Sequence, residues 1–108
     1  MGRSGTKRIK RNILKYELII RDEAELEIIE AVKYYESKQI GLGKRFLSHL
    51  KIYLKRIQTY PEHFYIKRNP YREAVLKKFP YLIIFELSEN KVIVFSVFNT
   101  YQNPIKKP

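Results

Sequence analysis

The stretch from Tyr71 to Phe98, YREAVLKKFPYLIIFELSENKVIVFSVF, constrains the fold of this chain more than any other. It reads as three consecutive antiparallel strands. The first, Arg72–Leu76, is short and half polar. Pro80 has no N–H to give to a ladder, so Lys77–Pro80 reads as a connection. Tyr81–Leu87 is dense in aromatic and aliphatic residues, which suit a pleated, mostly buried surface. Ser88, Glu89 and Asn90 supply turn chemistry, and Asn tolerates positive φ. Lys91–Phe98 then returns, with Val92, Val94, Ser96 and Phe98 expected on one face and Ile93, Phe95 and Val97 on the other. Neither face is fully polar, so both must be covered.

Upstream, Lys15–Ile20 (KYELII) is a short strand. Asp22 is expected to cap a helix, with Glu25 completing a capping box. The helix should run to about Ser37, since Ala24, Ile28, Ala31, Val32 and Tyr35 form one apolar stripe at helical spacing. Gly41-Leu42-Gly43 breaks that pattern. A second helix to about Thr59 follows, with the stripe Phe46, Leu47, Leu50, Leu54 and Ile57, and Pro61 stops it. Glu62–Pro70 reads as a loop. The order is β-α-α-β-β-β. Strands adjacent in sequence usually pair, so the last three form a meander and the first joins beside the last. The expected fold is a two-layer α+β domain, a helical hairpin packed on a small, mainly antiparallel sheet.

The chain has 108 residues, enough for one modest core, and 44% hydrophobic content, which excludes global disorder. A domain over residues 15–104 is expected, preceded by a flexible basic leader over 1–14 and followed by a tail over 105–108. There is no cysteine, hence no disulfide framework or thiolate metal site, in keeping with a reducing cytoplasm. Apolar runs are only a few residues long, so no transmembrane span is expected. The net charge of +11 is unevenly spread. Residues 1–15 carry six Lys/Arg and no acid, residues 16–43 carry three basic and seven acidic residues, and residues 44–108 carry thirteen basic and four acidic. An acidic segment before a strongly basic body points to a polyanionic or acidic partner for the body.

Familiar catalytic patterns are missing from the sequence. His49 and His63 are the only histidines, fourteen residues apart, with no HExxH-type spacing; no metal and no cofactor is expected. Gly41-Leu42-Gly43 is too short for a phosphate loop and lacks the Lys-Ser/Thr of a nucleotide site. The carboxylates cluster on the first helix, where capping and solvation account for them. What remains is basic and aromatic: Tyr65, Lys67, Arg68, Tyr71 and Arg72 before the sheet, Lys77, Lys78 and Tyr81 at its first turn, and Asn99, Tyr101 and Gln102 after its last strand. Lys and Arg neutralise phosphates, and an exposed Tyr can stack on a base. Tyr65, Tyr71 and Tyr81 also read as core or half-core rings, whereas Tyr101 sits in a polar tail where burial is less expected.

Several of these segments together resemble the ParE-like branch of the RelE/ParE toxin superfamily. The residues that carry the resemblance are Tyr35-Glu36 before Gly41-Leu42-Gly43, Arg45-Phe46 in the second helix, Tyr60-Pro61, Arg72, Phe79-Pro80-Tyr81 and the strand Lys91–Phe98. The resemblance implies the toxin of a type II toxin–antitoxin module, held inactive by a cognate antitoxin and reaching operator DNA only through it. ParE-like members poison DNA gyrase; RelE-like members cleave mRNA in the ribosome. Target binding is then expected from Arg68, Arg72, Lys77, Lys78, Asn99 and Tyr101. On the ribonuclease alternative, Arg72, Lys77, Lys78 and Tyr101 would be the catalytic set, without a metal. The chain departs from the ribonuclease pattern at Leu82, where those members carry an Arg, and an apolar side chain cannot stabilise phosphorane charge. It departs again after the last strand, in Asn99–Pro104. A relative that only binds its antitoxin is the third alternative. The apolar faces of the last strand leave room for an antitoxin segment or for a second copy of the chain.

Overall fold

The computed structural model describes residues 16–101. The leader, the tail and the expected domain limits at 15 and 104 lie outside them. Five strands form one sheet: β1 (Glu17–Ile20), β2 (Tyr65–Arg68), β3 (Tyr71–Val75), β4 (Tyr81–Ser88) and β5 (Lys91–Asn99), in the order β1-β5-β4-β3-β2. Two helices, α1 (Asp22–Lys38) and α2 (Leu42–Thr59), separate β1 from the rest. β1 runs parallel to β5 and every other pair is antiparallel. The architecture is therefore the expected α+β sheet with a helical hairpin, with β1 beside β5.

Three local expectations are revised. The stretch expected as a loop, Glu62–Pro70, holds a short 3-10 turn (Pro61–His63) and the edge strand β2. All four β2 residues are exposed, with Lys67 and Arg68 among them, so no apolar alternation announces the strand; charged side chains also blunt a sheet edge against foreign pairing. Asp22 does not cap α1. Arg21 occupies the capping position in extended conformation without a side-chain bond, and Asp22 is already helical, where it joins Glu23 and Glu25 at the positive end of the helix dipole. The β4–β5 turn places its positive φ (56°) at Glu89 rather than at Asn90.

The faces of β5 also differ from simple alternation. Ile84 pairs with Ser96 and Phe85 with Val94, so Phe95 is an extra residue in a bulge. One extra residue shifts a period of two by one. Val92 and Val94 face the helices before the bulge, and Val97 joins them after it. Ser96 and Phe98 pair with Ile84 and Leu82 on the other side.

The core lies between hairpin and sheet. Ala24 and Ala31 of α1 and Phe46, Leu50, Leu54 and Ile57 of α2 meet Ala74, Ile83, Phe85, Val92, Val94 and Val97. Ile28, Val32, Tyr35 and Leu47, the remaining stripe residues, pack partly buried around it. The two helices touch closely because of Gly43. A Cβ there would sit 2.6 Å from the Val32 carbonyl oxygen, a contact no side chain can make. Gly41, at φ 89°, takes the left-handed conformation that turns the chain. The Glu36 carboxylate fixes both residues: Oε2 accepts the Gly41 N–H at 2.9 Å and Oε1 the Gly43 N–H at 3.0 Å. Gly43→Ala is expected to destabilise the chain by about 1–3 kcal/mol by overpacking the helix contact. Glu36→Ala is expected to cost about as much by removing two charge-assisted bonds. Urea unfolding followed by circular dichroism measures both.

Candidate functional site

The connection Lys77–Pro80 divides the surface at the end of the hairpin into two clefts. It is held tightly. The Tyr81 N–H donates to the Phe79 carbonyl at 2.7 Å, and the Leu76 N–H to the Tyr81 carbonyl at 2.9 Å. Thr100 closes it from β5, with backbone N–H and hydroxyl both donating to the Pro80 carbonyl, at 2.8 and 3.1 Å. Phe79 is wedged between Tyr35 and Phe46, 5.0 and 5.1 Å between ring centroids, and Tyr81 lies 5.1 Å from Phe46. Edge-to-face aromatic contacts of this kind add about 0.5–1.5 kcal/mol each beyond buried area. The four rings weld hairpin to sheet.

The first cleft, about 500 Å³, opens between α1 and the end of β5 and is lined by Glu27, Glu30, Tyr34, Tyr35, Tyr81, Asn99 and Tyr101 among others. Tyr101 is 85% exposed and Tyr34 53%, so two rings stand at its rim. Asn99 orients the end of the strand: its Oδ1 accepts the Tyr101 N–H at 2.8 Å while its side chain also hydrogen-bonds to Tyr81. Burial, with a smaller push from Tyr81, raises the Tyr35 phenol above its ordinary 10.0. Burial likewise raises Tyr81, against the opposing Asn99 hydrogen bond. Both phenols are therefore neutral hydrogen-bonding groups at physiological pH, not latent phenolates.

Glu27 has a role that sequence reading assigned to solvation. β1 ends at Ile20, paired with Val94, and leaves the rest of the β5 edge uncovered. Glu27 reaches that edge from α1: its Oε1 accepts the Val97 N–H and the Ser96 hydroxyl, both at 2.9 Å. The carboxylate takes up the β5 edge beyond the last bond from the β1 side, the Arg21 N–H to the Val94 carbonyl at 3.0 Å. Its position three residues after Ala24 in the helix was visible in the sequence, but the bulge that turns Val97 toward it was not.

The second cleft, about 660 Å³, lies on the other side of Phe79, between the first turns of α2 and Lys78. His49 and Tyr53 of α2 anchor the connection here: Lys78 N–H donates to His49 Nε2 at 3.4 Å and Lys77 N–H to the Tyr53 hydroxyl at 3.2 Å. Burial, and then the Lys78 charge, hold the His49 imidazole below its ordinary 6.5, so it is neutral at physiological pH.

The residues singled out from the sequence are thus spread over three places. Asn99 and Tyr101 share the first cleft. Lys78 lines the second, and Lys77 is exposed beside it. Arg68 is exposed on the edge strand β2, while half-buried Arg72 points its guanidinium Nη1 at the Phe64 carbonyl, 3.0 Å away, tying the segment after α2 to β3. Tyr65 is 70% exposed, Tyr71 half-buried against Phe95, and Tyr81 buried. Leu82 pairs with Val75 and Phe98 on the sheet face away from the hairpin. Among the described residues no three His, Cys, Asp or Glu gather as a metal site, and no helix is long and apolar enough to cross a membrane.

A helical hairpin laid on one face of a five-stranded sheet, with a parallel first strand beside the last, defines an α+β fold of the ParE-like type. That fold is shared with a chain of the chromosomal ParDE TA system from P. aeruginosa, at a TM-score of 0.69 and 12% sequence identity, covering 79% of this chain and 96% of that one. No family model and no curated protein matches the sequence.

The paired phenols set an alkaline limit. A group whose pKa is raised by folding stabilises the native state fully below its unfolded value and loses that contribution as pH climbs through the folded value. Stability is therefore expected to fall as pH rises above about 10, the ordinary phenol value. Tyr35→Phe should flatten that decline, measured by urea midpoints between pH 8 and 11.

Proposed function

We propose that this chain is a ParE-like toxin of a type II toxin–antitoxin module, which inhibits growth by binding DNA gyrase and is neutralised by a cognate antitoxin. The single observation that carries the reading is the shared fold with a chain of the ParDE TA system, over nearly the whole length of that chain. The sequence motifs agree with it, and the structure gives them physical work. Tyr35 and Glu36 build the aromatic weld and the hairpin clamp; Phe79, Pro80 and Tyr81 form the ridge between the two clefts.

The geometry favours binding over RNA cleavage. A metal-independent ribonuclease must converge cations and a proton acceptor on one phosphate. Here Tyr101 stands over a cleft that carries Glu27 and Glu30, Lys78 lines the opposite cleft, and Arg72 holds a backbone carbonyl. Two carboxylates beside Tyr101 repel a phosphodiester. In this reading Asn99 and Tyr101 contact the target as a rim, with Arg68, Lys77 and Lys78 supplying charge that speeds encounter with an anionic complex.

Induction of the chain alone is expected to arrest bacterial growth with relaxed or broken DNA and intact transcripts. Tyr101→Phe should arrest growth as the wild type does, since a contact needs the ring and not a reactive hydroxyl. Tyr101→Ala should raise the concentration needed to inhibit supercoiling about tenfold, as for the loss of one interface anchor worth about 1–2 kcal/mol. Unimpaired supercoiling at micromolar protein, with no cleaved-DNA complex, overturns gyrase binding. Transcripts cut at ribosome-positioned sites would move the assignment to the ribonuclease, and absence of arrest would leave a chain that only binds its partner.

A further inference from the structure

Seven residues of α2 are exposed, and five of them are cations: Lys44, Arg45, Lys51, Lys55 and Arg56. The helix holds no Asp or Glu anywhere along its 18 residues. The outer side of α1 differs, with Lys33 and Lys38 exposed among Glu23, Glu25 and Glu30. Among the described residues none of the five cations of α2 is held in an ion pair. Arg56 lies over the Tyr53 ring at 5.1 Å, and Glu36, in the hairpin turn, is committed to the Gly41 and Gly43 N–H groups. Lys51 and Lys55, four residues apart, are neighbours on the helix surface, and like charges at that spacing repel.

The cations are ordered as well as numerous. At about 100° per residue they fall in two rows along the axis. Lys44, Lys51 and Lys55 share one line, about 16 Å long at about 1.5 Å per residue. Arg45 and Arg56 share a second, about 110° further round the helix. Ser48 and Ile52, the other two exposed residues, lie between the rows. Phe46, Leu50, Leu54 and Ile57, on the far side, are buried in the core.

We infer that this face of α2 binds duplex DNA, lying along the major groove with the lysine row on one phosphate backbone and the arginine row on the other. A B-form major groove is about 12 Å wide and admits a helix, whose diameter with side chains is about 10–12 Å. Its two walls carry the regular negative charge that two rows of cations match. Other polyanions fit the face less well. Duplex RNA has a deep, narrow major groove that closes it to a helix. A single strand is held by free rings on which its bases stack. Here Tyr53 is half-buried and faced by Arg56, and Tyr60, just past the helix, already stacks on His63 at 5.0 Å. A lipid surface takes up an apolar helix face, and that of α2 is spent on the core, leaving Ile52 alone outside. Ser48 is the one hydrogen-bonding side chain between the rows, so the contact is to the backbone and reads little sequence. It belongs to the chain itself, without a partner protein, and does not depend on the toxin reading.

The test is fluorescence anisotropy of the full chain with a labelled DNA duplex two helical turns long, between about 50 and 200 mM salt. Affinity is expected to fall steeply and linearly on logarithmic axes. Lys51→Gln with Lys55→Gln should weaken binding about tenfold and make the salt slope shallower by about 2, as for two lost phosphate contacts. Lys67→Gln with Lys91→Gln removes the same charge from exposed positions of the sheet and should change affinity less than twofold. The six cations of residues 1–15 are present in every variant, so a difference between the pairs belongs to α2. Unchanged circular dichroism shows that each variant is folded. DNA binding by α2 is overturned if the two pairs lose affinity equally, since net charge alone would then act, or if the α2 pair loses none. It is also overturned if duplex RNA of the same sequence binds as tightly, or if poly-glutamate or phosphatidylserine vesicles displace the DNA at equal charge. DNA binding without growth arrest would keep this surface and refute the toxin; arrest by a chain that binds no DNA would do the reverse.

Discussion

The Glu36 carboxylate sets the geometry on which the other contacts depend. By accepting two N–H groups of the Gly41–Gly43 turn it folds α2 back on α1 at a distance only a glycine allows. The first turn of α2 contains no acid of its own, so the same carboxylate supplies the negative charge that the positive helix end lacks. With one of the two exposed and the other half-buried, the pair of bonds is worth about 1–3 kcal/mol together, against a margin of about 5–15 kcal/mol for a whole domain. Once the helices are that close, Tyr35 lies stacked on Phe46 at 5.3 Å, and both present one aromatic surface to the sheet.

Phe79 and Tyr81 complete that surface, Phe79 from the connection and Tyr81 from the first position of β4. Pro80 ends the ladder of β4, so Phe79 is free to leave the sheet plane and wedge into the hairpin, while the Pro80 carbonyl is taken by Thr100. One consequence is mechanical: the ends of α1, α2, β4 and β5 are tied at one place. The other is topographical. The ridge separates a cleft bearing Glu27, Glu30 and tyrosines from a cleft bearing Lys44, Arg45 and Lys78.

The architecture was legible in the sequence because apolar spacing reports which face meets the core, and it did so for Phe46, Leu50, Leu54 and Ile57, all buried in one stripe of α2. Strand order followed from adjacency and from the apolar character of both β1 and β5. What was not legible had physical reasons. β2 is exposed at every position, so it lacks the alternation that marks a strand. The bulge at Phe95 is fixed by pairing with β4, a non-local constraint, and it exchanges the faces of Ser96, Val97 and Phe98. For the site, composition indicated basic and aromatic residues but not their partition. Arg72 and Lys78 are close in sequence, yet one serves a backbone carbonyl and the other a cleft wall.

That partition bears on what a small chain of charge +11 can attract. A uniformly basic surface would attract any polyanion, and its selectivity would be poor. Here Glu27 is retained at the β5 edge because it completes the backbone hydrogen bonding that β1 is too short to provide. A structural requirement thus places negative charge beside Tyr101, while the cations that line a cleft, Lys44, Arg45 and Lys78, lie on the far side of Phe79. Each cleft then rejects what the other attracts. Carboxylates are attracted to the cleft on α2, whereas Glu27 and Glu30 disfavour an anion beside Asn99 and Tyr101. The two surfaces share the Phe79–Tyr81 ridge, so the one connection that walls the acidic cleft also walls the basic one.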